Sequence, residues 1–147
     1  MTDKIRVIIK EVDKEAEVKE IDNLADELQM IVGGLFDITA LPEGENIDII
    51  CNDNFISEGA QANFIMPEYN HVMGGNVVFA GYDPETGDTI SLTDEQIKTV
   101  NEYLDHYKVK RMDLETAYYT MQINKMYNPY TIKKMKQLES EPEAEQG

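Results

Sequence analysis

The sequence predicts an α+β domain: a mixed or antiparallel sheet of about five strands, one helix inserted after the first hairpin, and two or three helices at the C-terminus. Three observations predict it. Short apolar stretches alternate with polar residues through the first 90 positions, residues 22–32 interrupt them with helical spacing, and everything after Leu92 keeps a helical period. A chain of 147 residues is one domain's worth, and its 41% hydrophobic content supplies a core without metal or disulfide.

Ile5, Val7 and Ile9 alternate with Arg6 and Lys10; Val18 and Ile21 follow the polar turn Asp13, Lys14, Glu15, which predicts a hairpin. Leu24, Leu28 and Ile31 then fall on one helical face, with Asp22 or Asn23 as cap and Gly33 and Gly34 as the stop. Residues 35–41 and 47–51 read as strands joined by a Pro and Gly loop, and residues 76–82 as another. Asp83, Pro84, Glu85, Thr86, Gly87 and Asp88 have turn chemistry and lead into a short strand at 89–91. Thr93 and Gln96 form a capping box with Asp94 and Glu95 in the first turn, and Ile97, Val100, Leu104 and Tyr107 make the apolar stripe. A helix over 113–127 follows, and Pro129 starts a last one through Gln137. Residues 1–108 are therefore expected to be the core, 109–138 a helical extension, and 139–147 a disordered acidic tail.

Composition narrows the function. Thirteen basic against 29 acidic residues give a net charge of −16, and residues 1–91 alone carry −14. The 78 residues between Lys19 and Lys98 contain 16 acids and no Lys or Arg, so direct nucleic-acid binding through this body is not expected. Such charge keeps a protein soluble, and it attracts a basic partner by steered association. The longest apolar runs, 47–51 and 77–81, are far below a membrane span, and the opening MTDKIRVIIKEVDKE has no secretion-signal pattern. A cytoplasmic location is expected, and the single cysteine, Cys51, agrees with a reducing compartment.

The run IDNLADELQMIVGGLFDITAL, then IDIICND, NFIM, VVFAG and SLTDEQI, resembles a family of uncharacterised small proteins, a domain of unknown function encoded by phages, plasmids and other mobile elements. The resemblance covers roughly residues 4–104. It implies a mobile-element setting and brings no catalytic residues to carry over.

No reaction centre assembles by spacing. Cys51 ends an apolar run and reads as a core cysteine rather than a nucleophile, with only His71 and His106 available as bases. His71 with Glu68, or Asp83, Glu85 and Asp88, lack a recognised ligand spacing, so no metal or cofactor is expected. The Gly33–Gly34 and Gly74–Gly75 pairs lack the spacing and lysine of a phosphate loop. Residues 52–75 make a long polar connection in which Asn52, Asn54, Asn63 and His71 are candidate small-ligand contacts; the competing reading has these amides satisfying loop backbone, with a short helix near 60–66. In the last helices Leu114, Tyr118 and Met121 are expected to face inward, leaving Tyr119, Met126 and Tyr130 as candidates for a homodimer or partner contact.

The leading expectation is a non-enzymatic accessory protein that binds a basic host or defence protein through an acidic surface, by charge complementarity or nucleic-acid mimicry. The acids expected to carry it are Asp22, Asp26, Glu27, Glu43, Glu45, Asp83, Glu85 and Asp88. The alternative is a module that binds or sequesters a small nucleotide-like ligand at residues 52–75; a phosphorylated ligand would need a cation that this segment does not contain.

Overall fold

Alternation of buried and exposed positions builds the sheet, and the computed structural model of the protein describes it over residues 4–23 and 25–140. Strands β1 (Lys4–Lys10) and β2 (Glu17–Asp22) form the first hairpin, in register from Lys4 opposite Asp22 to Ile9 opposite Glu17. Helix α1 (Ala25–Val32) follows and ends where Gly33, at φ +87°, and Gly34 both donate to the Gln29 carbonyl. Then come β3 (Phe36–Ala40), β4 (Ile47–Asn52), β5 (Ala62–Met66), a 3-10 turn (Pro67–Tyr69), β6 (His71–Gly74), β7 (Val77–Tyr82) and β8 (Thr89–Ile90). Helices α2 (Asp94–Tyr107), α3 (Leu114–Tyr127) and α4 (Pro129–Ser140) complete the described chain.

The protein is α+β. Its main sheet has the order β2-β1-β7-β4-β3 with β8 added to the end of β7, and every pairing is antiparallel. Period-2 alternation divides its side chains between two faces. On one face Ile5, Val7, Ile50, Val78 and Ala80 meet Leu28 and Val32 of α1. On the other, Ile8, Ile49, Val77 and Phe79 meet Val100, Tyr103, Leu104 and Tyr107 of α2, together with β5, β6 and α3. The α2 cap is the one its sequence calls for: Thr93 accepts from the Gln96 amide at 3.1 Å while the Gln96 side chain accepts from the Thr93 amide at 2.9 Å.

Several expectations are corrected. Residues 52–75 do not hold a helix near 60–66; residues 62–66 are β5, buried throughout and paired with β6 in a second, two-stranded sheet. A five-residue apolar run carries no period that separates strand from helix, and Asn70, left-handed at φ 51°, supplies the turn that brings β6 back. Asp22, expected with Asn23 as a possible cap of α1, closes β2 instead; the described part of α1 begins at Ala25, and Leu24 lies outside the described residues. The tail assigned from Glu139 begins inside α4, and residues 141–147 lie outside the described residues. In α3 it is Ala117 and Met121 that are buried while Tyr118 is exposed, because the helix lies close to β5 and β6 and a small residue fits there. Tyr130 is not free for a partner: its ring stacks on His106 at 3.6 Å and 7°. Tyr119 and Met126 are exposed.

Gly81 is closely packed in the main sheet. A Cβ there would lie 2.7 Å from the Ser91 carbonyl oxygen and 3.1 Å from the Ile90 side chain. Gly81→Ala is expected to lower the unfolding free energy by about 1–3 kcal/mol through overpacking, read from urea denaturation as a lower midpoint at unchanged slope.

Candidate functional site

An antiparallel sheet brings alternate strand ends together, and here it gathers acidic segments distant in sequence. Lys4 opposite Asp22, Ile47 opposite Gly81 and Ala40 opposite Asp48 place the start of β1, the ends of β2, β3 and β7, and the start of β4 at one end. Hydrogen bonds hold the intervening segments there. Tyr82 N–H donates to the Asn46 carbonyl (2.9 Å), Asn23 Nδ2 to the Thr89 carbonyl (3.0 Å), and Gln96 Nε2 to the carbonyls of Glu45 (3.0 Å) and Asn46 (3.2 Å).

All eight acids singled out in the sequence lie at this end. Asp22 closes β2, Asp26 and Glu27 occupy the first turn of α1, Glu43 and Glu45 lie in the β3–β4 loop, and Asp83, Glu85 and Asp88 in the β7–β8 turn. Asp94 and Glu95, in the first turn of α2, join them; the capping pattern marked these two as helix-dipole partners, and only the topology adds them to the surface. Asp83 is held by accepting the Glu85 amide at 2.9 Å, and Gly87 takes φ +78° to close the turn. Three cations answer three of the acids: Lys4 on Asp22 (2.8 Å), Arg6 on Asp94 (2.9 Å) and Lys134 on Glu43 (2.9 Å). Asp26, Glu27, Glu45, Asp83, Glu85, Asp88 and Glu95 form no ion pair among the described residues. A cavity of about 370 Å³ lies between the β3–β4 loop and the start of α2, with Glu45 and Glu95 on its walls.

The opposite end of the sheet is electrically mixed. Lys108 reaches Glu15 at 3.2 Å and Asp105 at 3.9 Å, and the Arg111 amide donates to Asp13 at 2.7 Å. Lys10 is buried there with its Nζ on the Glu11 carbonyl at 2.8 Å, and burial, followed by the nearby Lys108, holds its pKa below the ordinary value.

The four candidate ligand residues do not converge. Asn52 is buried, its amide donating to the Val32 carbonyl (3.2 Å) and Glu58 (3.1 Å) while its oxygen accepts from the Asn54 amide (2.7 Å). Asn63 is fully buried and ties β1 to the second sheet, donating to the carbonyls of Lys10 and Gly75 at 2.8 Å each; its Oδ1 has no partner among the described residues. Asn54 is exposed. His71 alone lines a cleft, of about 440 Å³, between β3 and β6, with Asp37, Thr39, Cys51, Phe55 and Tyr69. These come from four separate stretches of chain, so no spacing in the sequence announces them.

Environment sets the chemistry of this cleft. Burial, with Asp37 and Asp53 nearby, pushes the Cys51 thiol from 9.0 up to about 11. Thiolate is then about a hundredfold scarcer than at an ordinary cysteine, so iodoacetamide near pH 8 is expected to label native protein far more slowly than urea-unfolded protein. Burial lowers the His71 pKa from 6.5. The unfolded chain therefore binds a proton that folded His71 refuses, and stability present above about pH 6.5 is lost as pH falls below it. In thermal melts across this range, His71→Gln is expected to flatten that acid limb.

Residues 5–108 match the family model described as a domain of unknown function, DUF3846. No curated protein and no solved structure matches the chain. Because the matched segment contains both sheets, α1 and α2, the chain belongs to the DUF3846 family.

Proposed function

We propose that this protein is a cytoplasmic, non-enzymatic accessory protein of a phage or other mobile element, and that it binds a basic host or defence protein through the acidic end of its sheet. The single observation that supports this is the gathering of ten carboxylates, from four separate stretches of chain, at one end of one rigid sheet. Seven of them lack an ion pair among the described residues and so project uncompensated field toward solvent. A groove that reads the phosphates of a nucleic acid presents the complementary charge, so the mechanism is charge complementarity, with mimicry of a phosphate array as its sharper form. The mobile-element setting is what the sequence resemblance implies.

The small-ligand reading draws less support, since Asn52 and Asn63 direct their amides into the fold, Asn54 is exposed away from the cleft lining, and of the four His71 is the one that lines the cleft.

The test is capture from nuclease-treated host lysate on the immobilised protein, washed at low and at high salt, with mass spectrometry of what stays. Basic nucleic-acid-handling proteins are expected at low salt and lost at high salt. Replacing Glu45→Gln, Asp83→Asn, Glu85→Gln and Asp88→Asn together is expected to weaken capture at least about tenfold, with the thermal midpoint of the protein little changed. Undiminished capture by this variant at low salt would overturn the proposal.

A further inference from the structure

We propose that the open edge of β3 binds an extended, basic peptide segment of another protein as an added strand. This surface is separate from the acidic end and the inference does not rest on the reading given for that end. The sheet order gives β3 a partner on one side only. The Leu41 amide donates to the Ile47 carbonyl at 2.9 Å and the Leu35 carbonyl accepts from the Asp53 amide at 2.8 Å, so residues 35 and 41 face β4. Antiparallel alternation then turns the backbone groups of Phe36, Ile38 and Ala40 outward. Two outward groups are covered, the Ile38 amide by Asp37 Oδ1 (2.9 Å) and the Ala40 carbonyl by the Tyr69 hydroxyl (3.1 Å). Among the described residues, the Ile38 carbonyl and the Ala40 amide remain open. These are the acceptor and donor that one residue of a strand parallel to β3 engages.

The cleft of about 440 Å³ runs along this edge, and its far wall is β6, which itself has one strand neighbour. An added strand would therefore lie between two strand edges, with side chains reaching Phe55 and Met73 on one side and exposed Ile38 on the other. Charge selects the occupant. Asp37 is exposed, it forms no ion pair among the described residues, and no Lys or Arg lines the cleft. The other open edge of the sheet contrasts with this: β2 presents Glu17, Lys19 and Glu20, an alternating-sign pattern that discourages strand addition. The fitting segment alternates Lys or Arg, on the cleft side with Asp37, with Val, Ile or Thr, on the opposite side with exposed Ile38.

The probe is a displayed library of random heptapeptides selected on the immobilised full chain. Enrichment of sequences alternating basic and β-branched residues is expected, and enrichment should vanish on Ile38→Pro. Proline is compatible with this position because its missing amide does not face β4, and its ring, standing where that amide pointed, blocks the close approach of an added strand to the open edge. Asp37→Lys is the second variant, leaving the backbone intact and reversing the charge preference. An enriched peptide carrying N-methyl groups on alternate residues should bind at least about tenfold more weakly, and amide shifts on binding should centre on Phe36, Ile38 and Ala40. No enrichment over Ile38→Pro, equal binding of the N-methylated peptide, or shifts centred elsewhere would each overturn the proposal. Concentration-dependent dimerisation abolished by Ile38→Pro would also overturn it, assigning the edge to a second copy. Unchanged peptide affinity in the fourfold acidic-end variant is expected and separates the two surfaces.

Discussion

Burial of β7 on both faces is the constraint from which the rest follows. Its residues Val77 to Gly81 are buried without a break, and β1 and β4 flank it on either side. An antiparallel sheet commonly leaves one face to solvent, but a continuous apolar run at the centre forbids that. One face therefore takes α1, and the other takes α2, the β5–β6 hairpin and α3. Asn63 fastens the second layer to the first by holding Lys10 and Gly75 through its side-chain amide nitrogen, and its backbone carbonyl accepts from the Val109 amide, so the segment after α2 is tied to the same point. With both faces covered, only the ends and edges of the sheet are left to meet another molecule.

The same arrangement explains how so much negative charge is tolerated at one end. α1 and α2 both begin there, and a carboxylate in the first turn of a helix gains about 0.3–1 kcal/mol at low salt from the peptide dipoles. Asp26 and Glu27 sit in the first turn of α1, Asp94 and Glu95 in that of α2. The turn acids lack this compensation, and Asp83 is instead fixed by its own loop. Charge at this end is thus part stabilised by the fold and part left to solvent, while at the far end Lys108 is answered at once by Glu15 and Asp105.

Elements with strong local signals were legible in the sequence. The α2 capping box, the glycine stop of α1, the β7–β8 turn and the Pro129 start of α4 all rest on residues that act within a few positions of themselves. The second sheet was not legible, because Ala62–Met66 is buried on every side and so shows no alternation. Tertiary context also decided Asn63: an amide in an apolar run reads as a loop residue, whereas here its partners come from 12 and 53 positions away. The acids were visible one by one, but their convergence depends on strand order, which their spacing does not encode. His71 was visible as a candidate by itself, but its convergence with Asp37, Cys51 and Tyr69 on one cleft was hidden for the same reason.

The helical extension beyond the family segment bears on the acidic end rather than standing apart from it. Lys134 of α4 pairs with Glu43 at 2.9 Å and lies 5.5 Å from the centre of the Tyr130 ring. Tyr130 in turn stacks on His106 of α2, and buried Thr131 is hydrogen-bonded to Tyr107 and to Asn124. That chain of contacts fixes α4 against α2 and brings one cation to the β3–β4 loop. Glu43 is consequently the most compensated acid of its loop, and Glu45, two residues on, carries that loop's free charge. The strands and α1 gather the carboxylates without help from α3 or α4, so the extension adjusts the field of the acidic end and does not create it. The matched segment, residues 5–108, carries all ten carboxylates, and the cation that covers Glu43 comes from outside it.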